Sequence, residues 1–553
     1  MPVSRARFAC VVTMLLVLLS VLALPLSAAE DEHASDVGAT HATEGAPGEE
    51  TGDGHGGDAH SGPAIGEELS LLWVIPFAGI LLSIALGPII NHHWWEHNYP
   101  KASALWAVAF AVPFCVVFGM KGELGTAVYE ILHIYFVDYI PFIILLAGLF
   151  VASGGIVLRG TMVGTPLVNV AFIAVGSFLA SIIGTTGASM LLIHPILRAN
   201  RHREKRMHIV IIFIFLVSNV GGSLTPLGDP PLFLGFLHGV PFQWTFSLLP
   251  EMLFVIALVL IIFFVMDTRF LKREKNQRPV DDGARQPIRL AGAHNLLFLV
   301  GIMGGVLLSG MWQPGSVTIA GVHVSISGIA RDAIILVMGA LAFKTTKNEL
   351  REANEFSWEP IREVGILFAG IFMTIIPALL ILKAGEKGAL AAVVAAADSE
   401  AAYMWLTGIL SSFLDNAPTY LTFFNTALGQ LHLSEAVVSD YLRQAPLPWL
   451  HTATPDPAVV AELARTHPEV AAMPVEELSR NLELFVTYLK SISIGAVFMG
   501  ANSYIGNAPN FMVRSIAMHD GVKMPSFFGY MVWSGAILIP VFALVTLVFL
   551  VLM

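Results

Sequence analysis

From residue 69 to the C-terminus the chain alternates between long apolar stretches and short polar breaks, and the stretches come in membrane length. About 20 apolar residues cross a bilayer as a helix. By that gauge unbroken spans fall at 69–90, 102–120, 128–152, 247–267, 294–311, 328–344, 364–384 and 528–553. Two longer runs, 208–238 and 484–515, are broken in the middle by glycine, proline and side-chain oxygen. Two more, 165–197 and 401–429, are interrupted midway by polar residues.

Lysine and arginine assign sides, because short cytoplasmic loops collect them. Arg198, Arg201, Arg203, Lys205 and Arg206 form one cluster, and Arg269, Lys272, Arg273, Lys275 and Arg278 form another. With both inside, 165–197 is a re-entrant hairpin entered from the cytoplasm, and 401–429 is one entered from outside. The fold expected is therefore an all-α polytopic membrane protein with an inverted-topology repeat. Each half holds three spans, a re-entrant hairpin, a broken helix and a closing span, with residues 69–275 as the first repeat and 294–553 as the second. A cytoplasmic linker, 276–293, joins them, and a periplasmic insertion, 430–482, accounts for the greater length of the second half.

The repeat is also written in residues. Gly222-Ser223-Leu224-Thr225-Pro226-Leu227-Gly228-Asp229-Pro230-Pro231 matches Gly500-Ala501-Asn502-Ser503-Tyr504-Ile505-Gly506-Asn507-Ala508-Pro509, 278 residues later. The hairpin strings Leu179–Gly187 and Leu410–Pro418 align more weakly, in the same order. Irregular backbone at bilayer depth survives only where it is buried in protein or lines a wet cavity. A pair of such breaks in corresponding places points to a transporter's binding site.

Composition agrees. The 553 residues are 55% hydrophobic and 13% charged, with a mean hydropathy of +0.72, which excludes an ordinary soluble protein. The net charge of -11 comes largely from the N-terminal tail, and no basic face for nucleic acid exists. Residues 1–29 carry Arg5 and Arg7 before an apolar run and Ser27-Ala28-Ala29, the pattern of a signal peptide; an uncleaved apolar segment is the alternative. Residues 30–68 are acid- and His-rich and read as a disordered periplasmic tail. Cys10 and Cys115 lie in apolar stretches and suggest neither a disulfide framework nor a metal site.

A dehydrated sodium ion requires several oxygen ligands, which unwound backbone and short polar side chains supply. The candidate ion-binding residues are Thr185, Thr186, Ser189, Ser218, Asn219, Thr225 and Asp229 in the first half. In the second they are Asp415, Asn416, Thr419, Asn502, Ser503 and Asn507. Asp229 and Asp415 are the proton-coupling candidates, since an intramembrane carboxylate costs at least ~2.5 kcal/mol to insert and is a functional hypothesis by default. One carboxylate that takes sodium when ionised and a proton when not couples their opposite movements. Asp229 before Pro230 also fits a helix cap, and both readings stand at this point. Lys490 is expected to snorkel toward the periplasmic face, and Asp138 is a candidate for a proton path or for a structural role.

At these strings, together with Ser218-Asn219-Val220-Gly221 and Phe413-Leu414-Asp415-Asn416-Ala417-Pro418-Thr419, the chain resembles the NhaD-type sodium/proton antiporters. These belong to the citrate-transporter-like group of the ion transporter superfamily, and the resemblance runs from about residue 69 to the C-terminus. It implies a bacterial inner-membrane secondary transporter that exchanges sodium or lithium for protons by alternating access. It further implies inorganic cations and the bilayer as partners, a homodimer in many relatives, and no cofactor and no metal beyond the transported sodium. Dicarboxylate carriers of the superfamily place Ser-Asn-Thr at each hairpin tip; here the tips read Thr185-Thr186-Gly187 and Asp415-Asn416-Ala417. Alternatives are a sodium-coupled citrate or dicarboxylate carrier and an arsenite-type oxyanion exporter. From another class comes an intramembrane aspartyl protease, against which Pro226-Leu227-Gly228-Asp229 lacks the Gly-x-Gly-Asp string of such enzymes. No enzymatic activity is expected.

Overall fold

The structure, a computed structural model, describes residues 63–160, 162–274, 287–444 and 455–552. Residues 1–29, nearly all of the tail, most of the linker and the middle of the insertion lie outside these. Residues 63–68, assigned from composition to the tail, instead form the short helix α1 (Pro63–Glu68). Its Gly66 comes so close to Leu380 that a Cβ would sit 2.0 Å from that carbonyl oxygen. A lone glycine gives α1 this contact, which average composition does not show.

The first half opens with α2 (Ile75–Ile90), α3 (His92–Met120), and α4 (Leu124–His133) joined to α5 (Ile140–Ser153) by a π-helical stretch at Ile134–Tyr139. Helix α3 begins ten residues before the apolar run does, because Asn91 caps it by accepting from the Trp94 amide. After strand β1 (Val157–Arg159), α6 (Pro166–Ile183) and α7 (Thr185–Ala199) form a hairpin that turns at Gly184, whose φ of 81° favours glycine. The broken crossing follows as α8 (Met207–Leu216), a 3-10 stretch at Val220–Leu224 and α9 (Pro230–Leu237), and α10 (Leu249–Arg273) closes the half.

In the second half β2 (Arg289–Ala291) pairs antiparallel with β1. Three spans come next: α11 (Asn295–Met311), α12 (Ile326–Thr345) after the small β3 (Ser316–Ile319)–β4 (Val322–Ser325) ribbon, and, past α13 (Asn348–Ala353), α14 (Glu359–Lys383). Beyond α15 (Ala391–Ala396), α16 (Glu400–Phe413) and α17 (Asn416–Gln430) form the second hairpin. Helices α18 (Glu435–Gln444) and α19 (Pro457–Thr466) belong to the insertion. The second broken crossing is α20 (Val475–Met499), a 3-10 turn at Gly500–Asn502 and α21 (Ala508–His519), with α22 (Phe527–Val545) last. Among the described residues, ten helical stretches are long and apolar enough to span a membrane, and the protein is an all-α polytopic membrane protein whose only strands, among those residues, form two loop ribbons.

The two broken crossings are the centre. Met207–Leu224 is 89% buried and the 18-residue apolar stretch of Val475–Asn502 is 78% buried, against 22% for that of His93–Met120, so α3 lies at the outside of the bundle. Each half reaches into the other: α9 packs on α17, and α21 packs on α7. The two hairpins enter from opposite ends. Asn169 and Asn200 exchange hydrogen bonds of 3.0 and 2.7 Å at the base of the first. That base adjoins the loop where the Lys205 amide donates to Glu274 (3.0 Å) and Arg206 pairs with Asp520 (2.8 Å). The base of the second lies at the other end, where Gly429 abuts Gly385 and Leu382 and Glu435 pairs with Lys383.

Equivalent atoms hold the two breaks. Ser181 Oγ donates to the Gly221 carbonyl and Ser412 Oγ donates to that of Met499, positions 278 residues apart. Thr225 Oγ1 accepts from the Leu227 amide (3.1 Å) and Ser503 Oγ from the Ile505 amide (3.2 Å). A Cβ on Gly228 would meet Gly222 O at 2.0 Å, and one on Gly506 would meet Gly500 O at 2.5 Å. Because these are backbone atoms of the same tight loop, neither can yield cheaply. Gly228→Ala is therefore expected to lower stability by about 1–3 kcal/mol, with Gly506→Ala costing less, read as thermal unfolding in detergent. An unchanged melting temperature for Gly228→Ala would show that the loop has slack.

One charged residue behaves differently from expectation. Lys490 does not snorkel outward; its Nζ lies 2.6 Å from Glu251 Oε1, with Glu251 fully buried. The partner lies 239 residues away, out of reach of any reading of local hydropathy.

Candidate functional site

Both hairpin tips and both breaks converge on one carboxylate. Asp229, 1% exposed, precedes α9 but does not cap it. The next two residues, Pro230 and Pro231, have no N–H to offer, and the Leu232 amide donates to the Asp229 carbonyl (3.1 Å), so the carboxylate is free to face inward. Thr185 Oγ1 donates to its Oδ1 from the first hairpin tip (3.1 Å). Asn507 Nδ2 donates to the same oxygen from the second break (2.9 Å), and Asn416 Nδ2 donates to Oδ2 from the second hairpin tip. The capping alternative thus fails for Asp229. It holds for Asp415, whose Oδ1 accepts from the Ala417 amide at the start of α17 (3.2 Å).

The opposite entry of the hairpins brings Thr185 and Asn416 to the same group, and it sets the second carboxylate, Asp415, one residue from Asn416. Asp415, Thr186 and Asn507 line a cavity of about 90 Å³ that runs beside Phe142 and Leu149 toward Pro360 and Ile361 at the start of α14. No lysine, arginine or histidine lines this cavity.

The remaining candidates fall into two groups. Ser218 and Asn219 lie just behind the cluster: the Ser218 carbonyl accepts from Asn507 Nδ2 (3.1 Å), and its hydroxyl meets that of Ser189 at 2.8 Å. Asn219 Nδ2 reaches Asn510 Oδ1 (2.7 Å), and Asn502 Nδ2 reaches Ser412 Oγ (2.9 Å). Thr225, Ser503 and Thr419 serve backbone groups instead: Thr225 Oγ1 donates to the Ser181 carbonyl on the first hairpin and accepts within its own loop, Ser503 accepts within its own loop, and Thr419 Oγ1 donates to the Asp415 carbonyl (3.0 Å). Ser181 and Ser412, which are not among the candidates above, tie each hairpin to its break. Their signal was present, since they occupy matching places in the two aligned hairpin strings.

Three amide oxygens near this centre, those of Asn219, Asn416 and Asn502, are buried and receive no hydrogen bond from protein. Buried acceptors without donors are costly, and each is an atom that a bare cation would satisfy. Together with Asp229 and Asp415, they make the centre rich in negative and partially negative oxygen and poor in positive charge.

No curated protein matches the chain. Residues 66–550 match the family model described as "Putative citrate transport". With that match over nearly the whole length, and with paired hairpins and broken helices meeting inside a bundle of long apolar helices, this chain belongs to the citrate-transport family and is a multi-pass membrane transporter.

Proposed function

We propose that the protein is a secondary antiporter that exchanges sodium or lithium for protons across a bacterial inner membrane. The observation that carries this reading is the convergence of two carboxylates and three undonated amide oxygens on a site without a single basic side chain. Such a site suits a small desolvated cation. A proton on Asp229 or Asp415 would cancel the charge that holds the ion, so cation and proton compete for one place. Competition within a site that faces one side at a time is sufficient for exchange. The cavity extends toward the start of α14, at the end of the bundle that holds Arg203, Lys205, Arg206, Lys272 and Arg273, and the positive-inside rule supports a cytoplasmic opening there.

The family description supports a second reading, a sodium-coupled citrate carrier. A tricarboxylate calls for arginine or paired cationic donors, and the cavity presents Asp415 where these would stand. The test is direct. In everted vesicles with a preformed proton gradient, adding sodium or lithium should collapse the gradient, and citrate should have no effect. Citrate uptake that depends on sodium, with no gradient collapse, would replace the antiport reading by the second.

A further inference from the structure

Helix α9 starts at the site and ends, eight residues on, in a cluster of charge that the site does not use. His238 Nδ1 lies 2.7 Å from Glu435 Oε2, its Nε2 lies 3.0 Å from Asp138 Oδ1, and Lys383 Nζ lies 2.8 Å from Glu435 Oε1. Each ring nitrogen thus lies within ion-pair distance of a carboxylate, an arrangement that favours the imidazolium, and the ring is set against the Phe424 ring (5.8 Å between centroids). Asp138 and Lys383 come from the three-span groups, on the π-helical stretch after α4 and at the end of α14. His238 and Glu435 come from the broken crossing and from α18, directly after the second hairpin. The charges therefore join the parts that carry the site to the parts that surround it. Glu130 and His133 on α4 complete the titratable groups around the cluster.

Beyond His238 opens a polar basin of about 960 Å³, with Gln243, Gln313, Arg331, Asp332 and Arg443 in its wall. It lies at the end opposite the basic clusters. Between basin and site stand the two phenylalanines of α9. Phe233 lines the site cavity and Phe236 lines the basin; their rings stack with centroids 6.1 Å apart, and the Arg331 guanidinium lies over Phe233 at 5.6 Å. A hydrated cation cannot cross this apolar wall while α9 stays in place.

We propose that the basin is the outer access route to the site, that α9 is its gate, and that the Asp138–His238–Glu435–Lys383 chain is the latch that holds the gate shut. The proposal rests on the transport reading but not on which ion is carried. Burial pushes the Glu435 carboxyl up, but His238 and Lys383 outweigh it and hold the group well below the usual carboxylate range. A carboxylate with a depressed pKa contributes above its ordinary range and loses the contribution only as pH falls through the lowered value. The latch thus stays charged at neutral pH and releases by movement rather than by titration.

The test uses the full chain with Cys10→Ser, Cys115→Ser and Thr186→Cys, so that the one thiol lines the site cavity. A membrane-impermeant maleimide is applied from the outer face of spheroplasts and, as a control of reactivity, from the cytoplasmic face of everted vesicles. Labelling from outside should be slow in this background and should rise at least about tenfold with His238→Gln, Asp138→Asn or Phe236→Ala, since removing one partner of a buried charge pair strongly favours the state that lacks the contact. Asp138→Asn keeps the side chain's shape and stands in if His238→Gln fails to fold. Unchanged outer labelling in folded Asp138→Asn and Phe236→Ala overturns the gate. Because labelling reads access alone, a citrate cargo would refute antiport and leave this result intact.

Discussion

Asp229→Asn should abolish sodium-dependent collapse of the proton gradient while leaving the protein folded. The carboxylate takes three donors, two on Oδ1 and one on Oδ2, and an amide in its place turns one acceptor into a donor. The side facing Asn416 is the natural place for the new N–H. There the Asn416 amide can turn over and present its Oδ1, which has no partner in the native arrangement. One buried atom without a partner is thus exchanged for another, and the stability change stays near zero. Binding fares differently. Removing the charge opposite a desolvated ion costs roughly 2–5 kcal/mol, about 30-fold to several thousand-fold in affinity. Asp415→Asn is the informative companion, because asparagine caps helices as well as aspartate does. It preserves the start of α17 and deletes only the negative charge facing the cavity. Sodium titration of the gradient signal in everted vesicles reads both variants. Native sodium affinity in Asp229→Asn would remove this carboxylate from the ion's coordination, and native affinity in Asp415→Asn would leave Asp229 to act alone.

The sequence made the centre of this protein visible because its chemistry is written in short, rare strings. Glycine, proline and side-chain oxygen at bilayer depth have few explanations, so Gly228-Asp229-Pro230 and Gly506-Asn507-Ala508 marked the breaks before any fold was known. Alternation of basic and polar loops then sent the hairpins in from opposite ends, and Thr185 and Asn416 do meet from opposite ends on Asp229. What stayed hidden was contact over long separations. His238 reads as an ordinary polar residue at a helix end, and only packing brings Asp138 and Glu435, 100 residues before and 197 after it, to its two nitrogens. The β1–β2 ribbon escaped notice for a related reason: three residues of loop pair with three residues of linker, and neither piece has a strand pattern of its own. Which of the two aspartates caps a helix, a reading the sequence left open for Asp229, turns on backbone chemistry. Two prolines and a Leu232 amide already given to the Asp229 carbonyl leave that side chain no free amide to cap, whereas Asp415 has the Ala417 amide within reach.

The second large effect concerns stability. Lys490→Met should lower stability by about 3–5 kcal/mol, because it strands the fully buried Glu251 without its nearest cation. Glu251 Oε1 touches the lysine at close range, but neither carboxylate oxygen receives an aligned hydrogen bond. A buried pair recovers the cost of leaving water only when its geometry is good and its remaining valences are satisfied, and here they are not. The pair Lys490→Met with Glu251→Leu should therefore regain the native melting temperature or exceed it, since an apolar replacement of similar volume between α10 and α20 has no charge to desolvate. Thermal unfolding in detergent of the two single variants and the double variant completes the cycle. If the double variant is as unstable as Lys490→Met alone, packing of the lysine stem, rather than the stranded charge, sets the loss. If it recovers while transport in vesicles falls, the pair is kept for the movement of α20 against α10 and not for the strength of the fold.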